Sequence, residues 1–360
     1  MNCVIIATDP LILEEAHQME TIARELKKRG NECVIYSRIP NAANNSMSKK
    51  TFFNPTFTSS WGVCWLIILP ILFCINTIRL IRIRSHYTPH VLLCATLSDV
   101  LLFAPCARLL GISTYIIFPK PIPPLLRWLY HICINKARVI IPFSSLKNEL
   151  SLYHADISII PPCIFIRQQP LPLDRERARI PQRFILGTAS TLTPHSGVEY
   201  IIKAIPLIQE MLPHIQLIIV GDGPEKQRIL WLIAQLGLRE NIKLVGSEEN
   251  RESWMKHFTL FAFCPAHSFV PMQPVLEAMA ARKVVIASDI PPLRDIVTPS
   301  KHGILVPPCN SEMIAQAVIN LFNHPDWRET MGGLAAKHVQ EYFSTDTVVS
   351  KYEALLGSSF

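Results

Sequence analysis

The chain has 360 residues, of which 49% are hydrophobic and 18% are charged, and its formal net charge is +7. High hydrophobic content with few charges excludes a disordered chain, and 13 glycines are too few for a collagenous or linker-like chain. At roughly 100–200 residues per domain, this length indicates two domains, each with its own core.

The two halves of the chain differ in charge. Residues 1–180 carry 20 Lys and Arg against 11 Asp and Glu, whereas residues 181–360 carry 15 against 17. A basic first half suits an anionic membrane surface or a phosphate-bearing acceptor. Nucleic acid is not expected as a partner, because no compact Lys/Arg run with interleaved aromatic residues is present. The ten cysteines include no Cys-x-x-Cys pair, so no zinc or redox motif is predicted and a cytoplasmic location is expected.

Short apolar runs alternate with helical patterns through the first half. The chain begins with a predicted strand at 3–7, a helix at 14–28 and a strand at 33–36. Further strands are predicted at 91–95, 113–118, 139–142 and 157–160, and helices at 99–110, 124–135 and 146–153. This alternation predicts a parallel sheet with helices on both faces.

One segment of the first half needs a membrane interpretation. Residues 61–75 contain no formally polar side chain, the apolar character continues to residue 78, and Arg79, Arg82 and Arg84 follow. A spanning helix needs about 20 residues, and Pro70 interrupts the run. The flanking tryptophans and arginines favour peripheral contact of residues 61–84 with the cytoplasmic face of a membrane. A helix buried in the domain and a true span are the alternatives.

A polar, proline-bearing stretch at 168–183 is predicted as a linker between domains at 1–167 and 184–343. The strands predicted for the second domain lie at 184–189, 215–220, 242–245, 260–264, 284–287 and 304–306. Its predicted helices lie at 198–211, 225–236, 274–282, 312–323 and 327–342. A last helix, within 344–360, either stays with this domain or returns to the first. Ligands of such sheets bind outside the carboxyl ends of the strands.

A string of motifs in the second half carries a family resemblance. Residues 221–225 (GDGPE) follow an apolar strand, residues 274–278 (PVLEA) open a helix, and residues 302–304 (HGI) begin the last strand. Their order and spacing resemble the retaining glycosyltransferases of the large family 4, or group 1, type. The resemblance implies an α/β fold of the GT-B kind, with two doubly wound Rossmann-like domains facing a cleft. It also implies a nucleotide sugar as co-substrate, with no further cofactor and no metal.

The resemblance implies a donor site around the helix that begins near Pro274. A helix N-terminus presents unpaired amides and the positive end of its dipole, which suit a diphosphate. Glu277, one turn further, matches the family's glutamate that accepts hydrogen bonds from a ribose diol; alternatively it only favours its own helix. The donor-binding residues predicted in this way are Glu277, Thr191, Ser196, Gly246, Ser247, Met272, Gln273, Pro274 and Val275.

Departures from the family pattern concern the chemistry of transfer. Thr191 and Ser196 stand where the family has an arginine and a lysine that bind the donor phosphates, so this loop lacks a fixed cation. His195 lies in the same loop and would carry a charge only when protonated. Phe269 occupies the position of the family's first glutamate, so no catalytic residue is assigned.

Two functions follow from this pattern. The first is a hexosyltransferase that moves a hexose from a nucleotide sugar to a lipid or envelope-glycan acceptor with retention. The alternative is a catalytically impaired, glycosyltransferase-like protein that binds a nucleotide or a partner. An NAD-linked enzyme is disfavoured, because no Gly-x-Gly-x-x-Gly follows a strand of the first half.

Overall fold

A computed structural model of the chain describes residues 2–7, 13–37, 75, 77–78, 80–82, 91–94, 97–117, 138–147, 156–164, 184–246, 251–267 and 271–357. The chain divides into two compact units, Met1–Cys163 with Thr345–Phe360, and Ile164–Ser344. The linker predicted at 168–183, the helix predicted at 124–135 and most of that at 146–153 lie outside the described residues. Residues 61–74 of the apolar segment also lie outside them.

The first unit contains a six-stranded parallel sheet in the order β2-β1-β3-β4-β5-β6. Its strands are β1 (Asn2–Ala7), β2 (Glu32–Ser37), β3 (Val91–Cys94), β4 (Ser113–Ile117), β5 (Arg138–Ile141) and β6 (Asp156–Ile159). Helix α1 (Leu13–Lys28) joins β1 to β2, and α2 (Leu97–Leu109) joins β3 to β4. The apolar positions of α1 share one buried face, which explains why a helical period was visible in the sequence.

The last helix, α10 (Thr345–Gly357), belongs to the first unit. Arg29, just after α1, donates hydrogen bonds to the carboxylates of Asp346 at 3.0 Å and Glu353 at 2.9 Å. The buried Tyr115 donates its hydroxyl proton to the carbonyl oxygen of Leu355 at 3.0 Å. These contacts attach α10 to α1 and β4.

The second unit contains another six-stranded parallel sheet, in the order β12-β11-β10-β7-β8-β9. Its strands are β7 (Ile185–Ala189), β8 (Gln216–Val220), β9 (Ile242–Leu244), β10 (Leu260–Phe263), β11 (Val284–Ser288) and β12 (Gly303–Val306). The chain runs outward from β7 to β9, returns to the other side of β7, and runs outward again from β10 to β12. The strand order therefore reverses between β7 and β10, which is where doubly wound sheets bind ligands.

Seven helices cover this second sheet among the described residues. They are α3 (Val198–Gln209), α4 (Lys226–Gln235), α5 (Arg251–Met255), α6 (Gln273–Ala280), α7 (Pro291–Ile296), α8 (Ser311–Asn323) and α9 (Pro325–Tyr342). Strands β7, β10 and β11 are buried along their whole length, as expected for a parallel sheet covered on both faces. The sequence did not predict α5 and α7, because five or six residues are too few to show a helical period.

The structure also bears on the membrane interpretation. Within the part of the chain that the structure describes, no helix is both long enough and apolar enough to cross a bilayer.

Candidate functional site

The loop after β7 is bound to the turn after β8 at the carboxyl edge of the second sheet. The amide of Leu192 donates to the carbonyl oxygen of Asp222 at 3.0 Å, and the amide of Glu225 donates to the carbonyl oxygen of Leu192 at 3.0 Å. A Cβ at Gly221 would lie 2.0 Å from the carbonyl oxygen of Ser190. Gly221, the first glycine of the 221–225 motif, is therefore required by the close approach of two backbones.

The loop after β7 also lies in close contact with the loop after β10. Gly197 has a φ of +71°, and a Cβ there would lie 1.7 Å from the carbonyl oxygen of Cys264. The amide of Ala266 donates to the carbonyl oxygen of His195 at 3.1 Å. This backbone contact holds the two loops together at the switch point.

Two histidines meet on top of this contact. The ring centroids of His195 and His267 are 4.6 Å apart, with an angle of 73° between the ring planes. Both side chains are exposed to solvent. The segment that carries His267 is further fixed by Ser288, whose hydroxyl donates to the carbonyl oxygen of Pro265 at 2.8 Å.

The predicted donor-binding residues that the structure describes lie along this carboxyl edge. Thr191 is exposed in the loop after β7, whereas Ser196 of the same loop is buried. Gly246 follows β9 with a φ of +88° and forms an isolated bridge with Gly221. Ser247 and Phe269 lie outside the described residues, so their roles stay predictions.

The N-terminus of α6 differs from the sequence expectation. The helix begins at Gln273, so Pro274, which has no N–H, is its second residue. The amides of Val275 and Leu276 both donate to the carbonyl oxygen of Met272, at 3.1 and 3.2 Å. The expectation of a set of unpaired amides is therefore wrong for Val275, because a tight first turn uses the donor within the helix.

Glu277 is the buried acid of the site, and Arg251 is its partner. Arg251 donates from Nε to Oε2 at 2.5 Å and from Nη2 to Oε1 at 2.8 Å, and the side chains are 13% and 7% exposed. The side chain of Gln273 also hydrogen-bonds to Glu277. Burial raises the pKa of the Glu277 carboxyl above its ordinary value, and the Arg251 guanidinium opposes this rise.

The sequence analysis did not find Arg251. Two facts could have pointed to Arg251. A buried carboxylate needs a cation or several hydrogen-bond donors, and Arg251 follows the predicted donor residues 246–247 by only a few positions. Which basic residue would reach Glu277 depends on how α5, which begins at Arg251, packs against α6. Within the described ranges, no three His, Cys, Asp or Glu side chains come together as a set that could hold a metal ion.

Known proteins resemble this chain in both sequence and fold. Residues 172–338 match the family model described as glycosyl transferases group 1. An uncharacterised glycosyltransferase of Methanocaldococcus jannaschii is 29% identical over 201 residues, which are 51% of this chain and 48% of that protein. The phosphatidyl-myo-inositol mannosyltransferase of Mycobacterium leprae is 30% identical over 154 residues, which are 41% of this chain and 40% of that protein. The chain thus spans less than half the length of these curated relatives.

Two similar solved structures cover almost the whole chain. A glycosyltransferase of Rickettsia africae has a TM-score of 0.82 at 16% identity, over 99% of this chain and 98% of that one. An Anabaena protein solved with UDP and glucose has a TM-score of 0.76 at 16% identity, over 99% of this chain and 100% of that one. At such identities the likeness concerns the fold alone. Residues 172–338 are therefore similar to the glycosyl transferases group 1 family, and the chain as a whole has the GT-B fold.

Proposed function

We propose that the protein transfers a hexose from a nucleotide sugar to a lipid or envelope-glycan acceptor, with retention at the anomeric carbon. The observation that carries the proposal is the buried Glu277 at the start of α6, held by two hydrogen bonds from Arg251. The two Arg251 donors and the Gln273 side chain use three of the roughly four lone-pair sites of this carboxylate, so Glu277 can still accept a hydrogen bond from a ribose hydroxyl. A fixed acceptor of this kind orients a nucleotide at the carboxyl edge of the sheet.

The names of similar proteins support the donor and the acceptor class. The Mycobacterium leprae relative is named as a mannosyltransferase acting on a phosphatidyl-myo-inositol. The Anabaena structure contains UDP and glucose. A hexose donor and a lipid acceptor are therefore consistent with both the family and the basic first half of the chain.

Exposed side chains of the first unit support contact with a membrane. Ile75, Ile78 and Ile81 are exposed at helical spacing, and Arg82 beside them is exposed as well. Apolar side chains next to a cationic one are typical of a surface that lies on an anionic lipid interface. These side chains support our proposal that the protein contacts the cytoplasmic face of a membrane peripherally, through residues 61–84.

A specific observation also favours the second candidate, a catalytically impaired protein that binds a nucleotide or a partner. Transfer breaks the bond between the anomeric carbon and the diphosphate, so negative charge develops on the leaving group and must be stabilised. The loop at residues 190–196 contains no Lys or Arg, and Thr191 and Ser196 occupy the positions of the family's cations. The two candidates share donor binding and differ in turnover.

The test is a thermal-shift panel of UDP-, GDP- and ADP-sugars with the wild-type protein and with Glu277→Ala. We expect one nucleotide class to stabilise the wild type and to stabilise Glu277→Ala much less. Glu312→Ala is the matched control, because Glu312 is an exposed glutamate in the first turn of α8. Stabilisation unaffected by Glu277→Ala would overturn the site assignment. Release of free nucleoside diphosphate from the bound donor supports transferase chemistry, and binding without any release supports the impaired candidate.

A further inference from the structure

We infer that His195 and His267 bind the diphosphate of the nucleotide-sugar donor, in place of the two cations that the loop after β7 lacks. The inference rests on the proposed function, because it assigns residues to a donor that this function requires. It concerns one chemical class of ligand, a nucleoside diphosphate with or without its sugar.

The position of the pair is the first argument. His195 lies in the loop after β7 and His267 in the loop after β10, and these two strands are hydrogen-bonded neighbours. The strand order reverses between them, so their carboxyl ends enclose the switch point at which doubly wound sheets bind ligands. The pair therefore lies at the same edge as Glu277, which is ten residues after His267 and about one turn into α6.

The rigidity of the pair is the second argument. The amide of Ala266 donates to the carbonyl oxygen of His195, and Gly197 brings its backbone against that of Cys264. The two imidazoles are therefore held near each other by backbone contacts rather than by their own side chains. Both are exposed, so their ring N–H groups are accessible to phosphate oxygens, and hydrogen bonds to a charged phosphate are among the strong ones.

The third argument is that several other groups of the described site that could bind phosphate are already engaged. Arg251 donates to both carboxylate oxygens of Glu277. Pro274 has no N–H, and the amides of Val275 and Leu276 donate to Met272.

Charged side chains on the elements next to the loop after β7 are also paired with one another. Lys226 bonds to Asp222 at 2.6 Å, and Arg228 bonds to Glu225 and to Glu199. In the described part of this edge, the two histidines are exposed donors that take no part in these ion pairs.

The experiment is calorimetric titration of the full chain with UDP, GDP and ADP and with the three matching nucleosides. The variants are His195→Ala, His267→Ala and the double variant. His214→Ala is the matched control, because His214 is exposed in the loop before β8, at the opposite edge of the sheet. We expect the double variant to bind the preferred nucleoside diphosphate at least about tenfold more weakly, while its affinity for the nucleoside and its melting temperature stay unchanged.

Comparison with Glu277→Ala distinguishes the two roles. Glu277→Ala removes ribose contacts, so it should weaken the nucleoside and the nucleoside diphosphate by the same factor. His267→Lys keeps a phosphate donor in the loop and should retain most of the wild-type affinity for the diphosphate.

Each remaining outcome has a definite meaning. A wild-type protein that binds none of the three diphosphates refutes the proposed function itself. A wild type that binds one of them, with a double variant that binds it equally well, refutes the role of the histidines and leaves the proposed function standing. A double variant that loses nucleoside affinity by the same factor also refutes the inference, because the loop would then act on the whole site and not on the phosphates.

Discussion

Removal of Arg251 should destabilise the fold through the charge that it leaves on Glu277. The pair is bidentate, and the two side chains are only 13% and 7% exposed, so solvent screens the interaction weakly. Breaking a buried pair by removing one partner costs about 3–5 kcal/mol. We therefore expect Arg251→Met to lower the free energy of unfolding by about 3 kcal/mol at neutral pH.

The pH dependence of this loss provides the sharper test. Burial already raises the pKa of Glu277, and without the opposing guanidinium that pKa rises further. The cost of the unpaired charge is present above this raised pKa and disappears as the pH falls through it, because the carboxyl then takes up a proton. The difference between the wild type and Arg251→Met should thus shrink from neutral pH towards about pH 5.

Urea unfolding followed by circular dichroism at several pH values measures this difference. Arg251→Met/Glu277→Leu should be more stable at neutral pH than Arg251→Met alone, because it removes the buried charge as well. Arg228→Met is the matched control, since Arg228 also contacts two glutamates but is 57% exposed, and its loss should have little effect. A small, pH-independent loss for Arg251→Met would show that the pair does not bury a charge and would refute the reasoning.

Three further predictions concern the stability and packing of the two units. Gly197→Ala should destabilise by about 1–3 kcal/mol more than Gly237→Ala in urea unfolding, because both have positive φ but only the former would place a Cβ against backbone. Burial next to His338 and Lys301 lowers the pKa of His302 to about 4, so the wild type should lose stability as the pH falls from about 6.5 towards 4, and His302→Asn should flatten this slope in the same assay. Arg29→Ala should speed hydrogen exchange in α10, since it removes two ion pairs to that helix, and unchanged exchange would contradict the anchoring role.

The layered fold could be predicted because its signals are local. A strand buried on both faces is a short apolar run, and a helix that covers the sheet has a 3.6-residue period. Strands β7 to β12 were each predicted to within a few residues on this basis. Helix α7 was missed because it is one short segment that begins at two prolines.

The candidate site could be predicted only where a motif marks a single residue. Glu277 follows from the string at 274–278, and it lies where a parallel sheet binds ligands. The contact of Arg251 with Glu277 depends on how α5 packs against α6, and the meeting of His195 with His267 depends on β7 and β10 being neighbours. Strand order is a non-local property that apolar periodicity does not contain, so these contacts became visible only in the folded chain.

Two of the few glycines show where the second unit requires close backbone packing. Gly197 and Gly221 lie where two backbones approach within contact, and no other residue fits there without a shift. The loop before Gly197 carries Thr191 and Ser196, which the sequence resemblance aligns with two cations, and this loop makes backbone hydrogen bonds to the loops after β8 and β10. The arrangement of the loops after β7, β8 and β10 is therefore maintained by backbone packing that does not depend on phosphate-binding side chains. Because this packing does not use phosphate-binding side chains, such a fold can carry different side chains on the same loops, and the inferred binding of a diphosphate by His195 and His267 would be one such exchange.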